Sequence, residues 1–275
     1  MNYAKTTRGA TAGLAAGAAI IILLGTTAPG HSADAGGMAA AAASVTNPPP
    51  KIRHWENVAS ADLTLTRGNS RSFMATTTVN SKGKYDQNEY LLNGSAGYGD
   101  TTTTDSNGKQ VTTKTQDYLK GSGQMNHLFS DRWYGGLRLE GLHDDIADIQ
   151  YRFTVSPLLG YYLLKHTNTS LCAEVGPSYI YERLDDHTES YAGGRVGERY
   201  EYNFRTGARI WQTLEWITQV DKPDNWILTA ELGIAAPVTK ALDVRLVAQD
   251  WYNNQPAQGR LKNDLKLLAG VGYRF

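Results

Sequence analysis

Two short polar clusters hold the side chains with the clearest chemical potential. His143, Asp144 and Asp145 are joined by Asp148, and Asp185, Asp186 and His187 are followed by Glu189. A carboxylate beside an imidazole can activate water, and grouped carboxylates can hold a divalent cation. The same residues also make an ordinary solvated acidic loop, which divalent ions bridging lipopolysaccharide would favour without catalysis. The clusters lie in different loops and need not meet. Gly94-Ser95-Ala96-Gly97 lacks the spacing of a nucleophile elbow. The single cysteine, Cys172, cannot form an intramolecular disulfide, a zinc cage or an iron–sulfur site alone, and reads as a small apolar residue. The chain therefore reads as a non-enzyme with no cofactor, the alternative being a hydrolase built on the acidic loops.

The elements that must position these residues follow from composition and period. Across 275 residues, 41% are hydrophobic and 28 are Gly, which places the chain among ordered globular or barrel proteins. The 27 basic and 27 acidic residues cancel, so no electrostatic footprint for nucleic acid exists. Sixteen Tyr and six Trp outnumber five Phe. Rings with a polar handle favour places that are half apolar and half wet, so this bias asks for an interface.

Residues 1–35 carry Lys5 and Arg8, an apolar run centred on Ile20 to Leu24, and a small-residue ending. This is the pattern of a secretory signal peptide, with cleavage expected after Ala33-Asp34-Ala35, although Ala28 or an alanine near Ala40 could serve instead; an uncut signal anchor is the alternative. Residues 36–53 are Ala-, Gly- and Pro-rich, closing on Asn47-Pro48-Pro49-Pro50, and read as a tether. No later apolar run is long enough to cross a bilayer as a helix, so any membrane crossing must use strands.

From residue 54 to 275 the pattern has period two. Leu265, Leu267, Ala269, Val271, Tyr273 and Phe275 oppose Asp264, Lys266, Gly270, Gly272 and Arg274, and Leu242, Val244, Leu246 and Ala248 oppose Asp243, Arg245, Val247 and Gln249. Turn chemistry breaks the pattern near Arg67 to Ser70, Lys82-Gly83-Lys84, Thr101 to Lys109, Ser130-Asp131, His143 to Asp148 and Lys165 to Asn168. It recurs near Leu184 to Gly194, Arg205 to Gly207, Asp221 to Asn225, Val238 to Lys240 and Asn253 to Gly259. These breaks predict an all-β fold, a twelve-stranded antiparallel up-and-down transmembrane β-barrel, with long polar loops at Thr101, His143 and Leu184 alternating with short turns. A soluble barrel would alternate equally well with its faces reversed. Three features favour the membrane form: Trp133, Tyr161, Tyr181, Trp226 and Tyr252 towards strand ends, the lack of a helix to plug an apolar lumen, and the aromatic ending at Phe275.

Asp62-Leu63-Thr64-Leu65-Thr66 with Arg67-Gly68-Asn69-Ser70, the repeated aromatic-glycine strands, and Val271-Gly272-Tyr273-Arg274-Phe275 together resemble the salt-induced outer-membrane proteins of Gram-negative bacteria. That family is defined by a domain of unknown function, and the resemblance covers residues 54–275. It implies secretion through the inner membrane, a place in the cell outer membrane among its lipids and lipopolysaccharide, and a terminal strand read by the barrel-assembly machinery. Tyr273 and Phe275 would be that assembly signal. The family supplies no substrate or catalytic residue, and oligomeric state stays open.

With apolar positions facing lipid, the lumen receives Arg138, Glu140, Arg152, Glu174, Glu215, Glu231, Asp243 and Arg245. Asp62, Lys120, Arg199, Glu201, Arg205, Asp264, Lys266 and Arg274 fall on the same face. A strongly selective pore would line its lumen with one sign of charge. The balance of signs predicts an ion-pair network or a narrow, weakly selective channel, with small or no conductance. The expected role is an envelope or stress-associated protein with at most limited passage of small solutes.

Overall fold

The computed structural model describes residues 53–66, 70–104, 109–184, 187–256 and 261–275. The expected signal peptide and the expected tether up to residue 52 lie outside them, and Arg53 already belongs to the first strand. Twelve strands follow one another: β1 (Arg53–Thr66), β2 (Ser70–Tyr85), β3 (Asn88–Thr104), β4 (Gln110–Leu128), β5 (Trp133–Asp144) and β6 (Ile149–Lys165). The second half comprises β7 (Thr169–Leu184), β8 (His187–Asn203), β9 (Arg209–Gln219), β10 (Trp226–Pro237), β11 (Leu242–Asn253) and β12 (Asn263–Arg274). Each pairs antiparallel with its sequence neighbours, and β1 pairs with β12 to close an up-and-down barrel. Pairing β1 with β12 covers part of what would otherwise be two free sheet edges.

The two faces separate as the period-two pattern requires. Along β11, Leu242, Val244 and Leu246 are exposed on the outer wall, while Asp243 and Val247 are buried. Along β12, Leu265, Leu267, Val271 and Tyr273 point outward and Leu268 inward. Ring pairs mark both ends of the outer wall. Trp133 lies tilted beside Tyr161 and Tyr273 stacks near Phe275 at the end where β1 begins and β12 ends, and Tyr151 pairs with Tyr181 and Trp226 with Tyr252 at the far end. The closing seam is short, with five paired positions from Val58↔Arg274 to Asp62↔Gly270. Phe275 reinforces it by donating its backbone N–H to the Asn57 carbonyl at 3.1 Å.

Three expectations about connections are corrected. Lys82-Gly83-Lys84 is strand, and the β2–β3 turn falls at Asp86-Gln87, where Asp86 adopts φ 58°, a left-handed conformation that Asp tolerates. Gly83 lies between Trp55 on β1 and Tyr90 on β3, whose rings are 6.0 Å apart; a Cβ there would meet the Trp55 ring at 2.6 Å. The glycine makes room for a cross-strand aromatic contact and does not mark a turn. Second, the stretch from Leu184 to Gly194 is mostly β8, paired in register from Leu184↔His187 onward. Third, Thr101 to Thr104 continue β3 opposite Gln110 to Thr113, and the Thr102 and Thr112 hydroxyls hydrogen-bond at 2.8 Å. Threonine is a good strand former, so a polar, β-branched tract extends the hairpin. The asymmetry between barrel ends therefore comes largely from strands such as β3 and β4 that project at the far end.

Candidate functional site

The chemistry of this barrel is concentrated in its lumen. One row of cross-strand partners runs Leu128, Tyr134, Gly160, Glu174, Gly197 and Glu215 across β4 to β9. The glycines alternate with large or charged side chains for a steric reason. A Cβ on Gly160 would meet the Tyr134 ring at 2.1 Å, so Tyr134 lies over Gly160 and its hydroxyl donates to Glu174 on the next strand at 2.9 Å. Gly197 separates Glu174 from Glu215, and a Cβ there would lie 3.0 Å from the Arg195 guanidinium. Arg195 occupies this space and spans both carboxylates, 3.0 Å from Glu174 and 2.6 Å from Glu215.

From this pair the network spreads. Glu174 also accepts from Gln124 at 2.7 Å and from Arg199 at 3.1 Å. Glu215 lies 3.4 Å from Arg138, which donates to Glu140 at 2.9 Å, and Glu140 pairs with Lys120 at 3.2 Å. Arg138 is on β5 and Glu215 on β9, strands separated by β6, β7 and β8 in the wall, so their contact crosses the lumen. Nearer the terminal end a second layer does the same. Lys82 on β2 pairs with Glu201 on β8, and Arg209 on β9 approaches Glu56 on β1 at 3.7 Å. At the seam itself, Arg245 lies 3.4 Å from Asp62 and Arg274 lies 3.4 Å from Asp243. Apolar packing fills further space: Leu128, Tyr134, Leu158 and Cys172 form a buried cluster inside the barrel, with Tyr162 against it. The strength of the tie rests on burial: Arg195 and Glu174 side chains are only 5% and 4% exposed, and stranding one partner of such a pair costs about 3–5 kcal/mol.

Among the charges expected in the lumen, Arg138, Glu140, Glu174, Glu215, Asp243 and Arg245 belong to these layers. Arg152 pairs with Glu182 at 2.5 Å, and Glu231 accepts from Trp211 at 2.6 Å and Gln249 at 2.7 Å. Arg205 is a correction: it lies exposed in the β8–β9 turn, past the end of the strand.

The acidic clusters are dispersed. His143 and Asp144 are successive strand residues and so face opposite ways, the imidazole to the outside, 3.2 Å from Asp145, and Asp144 towards the lumen. Asp144 accepts the backbone N–H groups of Ile146 and Ala147, both at 2.9 Å, which shapes the turn through Asp148 at φ 57°. Asp145 is also 3.3 Å from Lys114. Asp185 and Asp186 lie outside the described residues, and His187 is 3.7 Å from Glu189. Among the described residues, no three His, Cys, Asp or Glu side chains converge to hold a metal ion.

These features define the class: a closed antiparallel β-barrel with an apolar outer wall and an ionic, partly packed interior. The chain belongs to the family described as protein of unknown function DUF481, whose model matches residues 59–275. No curated protein matches it significantly. Among solved structures, it is similar to the translocator domain of the autotransporter NalP from Neisseria meningitidis at 16% identity and TM-score 0.43, covering 84% of this chain and 91% of that one. It is also similar to the NanC porin, at 8% identity and TM-score 0.44 over 80% of this chain and 96% of the porin. For the KdgM porin the values are 8% and 0.41, over 81% and 99%.

Proposed function

We propose that this protein is an outer-membrane barrel whose lumen is held shut by cross-lumen ion pairs, a non-enzymatic envelope component with at most limited passage of small solutes. The observation that carries the reading is that non-neighbouring strands are joined across the lumen at two levels, by Arg138 on β5 with Glu215 on β9 and by Lys82 on β2 with Glu201 on β8. An apolar outer wall bounded by ring pairs at both ends suits a bilayer with two wet interfaces. In this reading Tyr273 and Phe275 are the outward aromatic signal presented to the assembly machinery, and the end where β1 begins and β12 ends faces the periplasm. The closed lumen favours a structural or stress-associated role over bulk uptake. The test is swelling of liposomes reconstituted with the purified barrel in graded sugars. Swelling no faster than in protein-free liposomes supports the reading, and rapid, size-dependent entry of mono- and disaccharides refutes it.

A further inference from the structure

The seam that closes the barrel is the shortest ladder in its wall. β1 pairs with β2 at fourteen positions and β12 with β11 at eleven, whereas β1 and β12 meet at five, from Val58↔Arg274 to Asp62↔Gly270. Beyond Asp62, Leu63 to Thr66 keep a ladder to β2 alone, and Asp264 to Ala269 keep a ladder to β11 alone. Among the described residues, two strand edges therefore face each other unpaired in the far half of the seam. Continuing the register would set Leu63 against Ala269 and Leu65 against Leu267. This stretch lies on the bilayer side of the Trp226–Tyr252 ring pair, because Tyr252 is the cross-strand partner of Asn263.

The last paired position is also where side chains tie the seam from within. Asp62 lies over Gly270 of β12, where a Cβ would run into its carboxylate, and it pairs with Arg245 of β11 at 3.4 Å. Arg245 thus reaches past β12 altogether: it also donates to Ser60 of β1, and to Thr78 of β2 at 3.3 Å. The Arg245 and Asp62 side chains are 7% and 1% exposed, so solvent ions screen their attraction little. The unpaired stretch beyond has no such tie. Its outer face carries the exposed aliphatic groups of Leu63, Leu265, Leu267 and Ala269, and its inner face is aliphatic at Val247 and Leu268. None of these can satisfy a backbone N–H or C=O, and hydrocarbon supplies no water to do so, which makes a permanently open edge unfavourable there.

We propose that the far half of the β1–β12 seam is a lateral gate. Leu63 to Leu65 and Leu267 to Ala269 alternate between a zipped ladder and a parted wall, and the contacts of Arg245 with Ser60, Asp62 and Thr78 stop the parting at Asp62. The gate opens the wall sideways to the bilayer and leaves the ion pairs along the axis in place. The inference rests on the bilayer placement above but not on a shut lumen, so free entry of sugars and failure of the test below are separate results.

Two cysteine pairs read the two halves of the seam. Ala61→Cys with Val271→Cys lies in the observed ladder. Leu63→Cys with Ala269→Cys lies two residues further along the same register, on the same outward face and at the same kind of ladder site. Cys172 is buried on β7, away from both pairs. In the full-length protein folded in lipid vesicles and treated with diamide, the first pair should cross-link at least about tenfold faster than the second, because a disulfide needs Cα atoms within about 7 Å. The second pair should still close completely as the seam zips. Equal rates overturn the proposal, since the ladder would then run unbroken, and so does a second pair that never closes, since the gap would then be fixed. Asp62→Asn with Arg245→Met removes both charges of the tie together and should slow the first pair by at least about threefold. An unchanged rate for that pair in the folded double variant overturns the role given to Arg245.

Discussion

Replacing Glu174 with alanine removes the acceptor shared by Gln124, Tyr134, Arg195 and Arg199. Arg195 retains Glu215 at 2.6 Å, whereas Arg199 is left, among the described residues, with the Cys172 sulfur at 3.5 Å. The cost is that of stranding a buried charge, about 3–5 kcal/mol, or a factor of roughly 10² to 10³ or more in the unfolding equilibrium. Glu174→Gln preserves the shape and one acceptor oxygen, so it should cost less, about 1–3 kcal/mol. Adding Arg199→Met to Glu174→Gln should recover part of the loss, because removing both charges of a buried pair is far less harmful than removing one. The assay is reversible urea unfolding of the barrel in lipid vesicles, followed by tryptophan emission and by protease protection. A Glu174→Ala barrel within about 1 kcal/mol of the natural sequence would refute the assignment of Glu174 as the hub of the network.

Other substitutions separate the two faces and the two ends. Gly160→Val should drive the Tyr134 ring from its place, since even a Cβ would meet it at 2.1 Å, and should lower stability by about 1–3 kcal/mol in the same urea assay. Leu246→Arg places a cation on the outer wall and should cost about 2–4 kcal/mol in vesicles, while nitroxide labels at positions 246 and 247 should report oxygen-rich lipid and a lipid-shielded interior, respectively. Deleting Phe275 removes its hydrogen bond to Asn57 and its stacking with Tyr273, and in cells should reduce the heat-modifiable outer-membrane form in favour of degraded material, as read by fractionation and immunoblot.

Strand number and facing were legible because every strand buries one face and exposes the other, so period two is written into the residues themselves. Turn positions were less so, since glycine serves two purposes here. At Gly207, with φ 85°, it makes a turn, while at Gly83 it makes space for Trp55 within a strand. Only the register, which brings Trp55, Gly83 and Tyr90 into one row, distinguishes these uses. The same limit applied to the lumen. Alternation placed Glu174, Arg138 and Glu215 on the inner face, but their partners come from non-neighbouring strands, and no sequence spacing encodes contact across a barrel. Gly160 and Gly197 carried no recognisable signal until the strands were aligned. The acidic clusters drew attention by composition, yet successive residues of a strand point to opposite faces, which separates His143 from Asp144.

Ion pairs between non-neighbouring strands close the lumen in the function proposed above. Single-channel recording in planar bilayers tests it most directly, comparing the natural sequence with a barrel carrying Arg138→Ala, Glu215→Ala and Lys82→Ala together. The natural sequence should give little or no stepwise current, and the triple variant clear, stable openings. A large, steady conductance from the natural sequence, unchanged by the three substitutions, would contradict it.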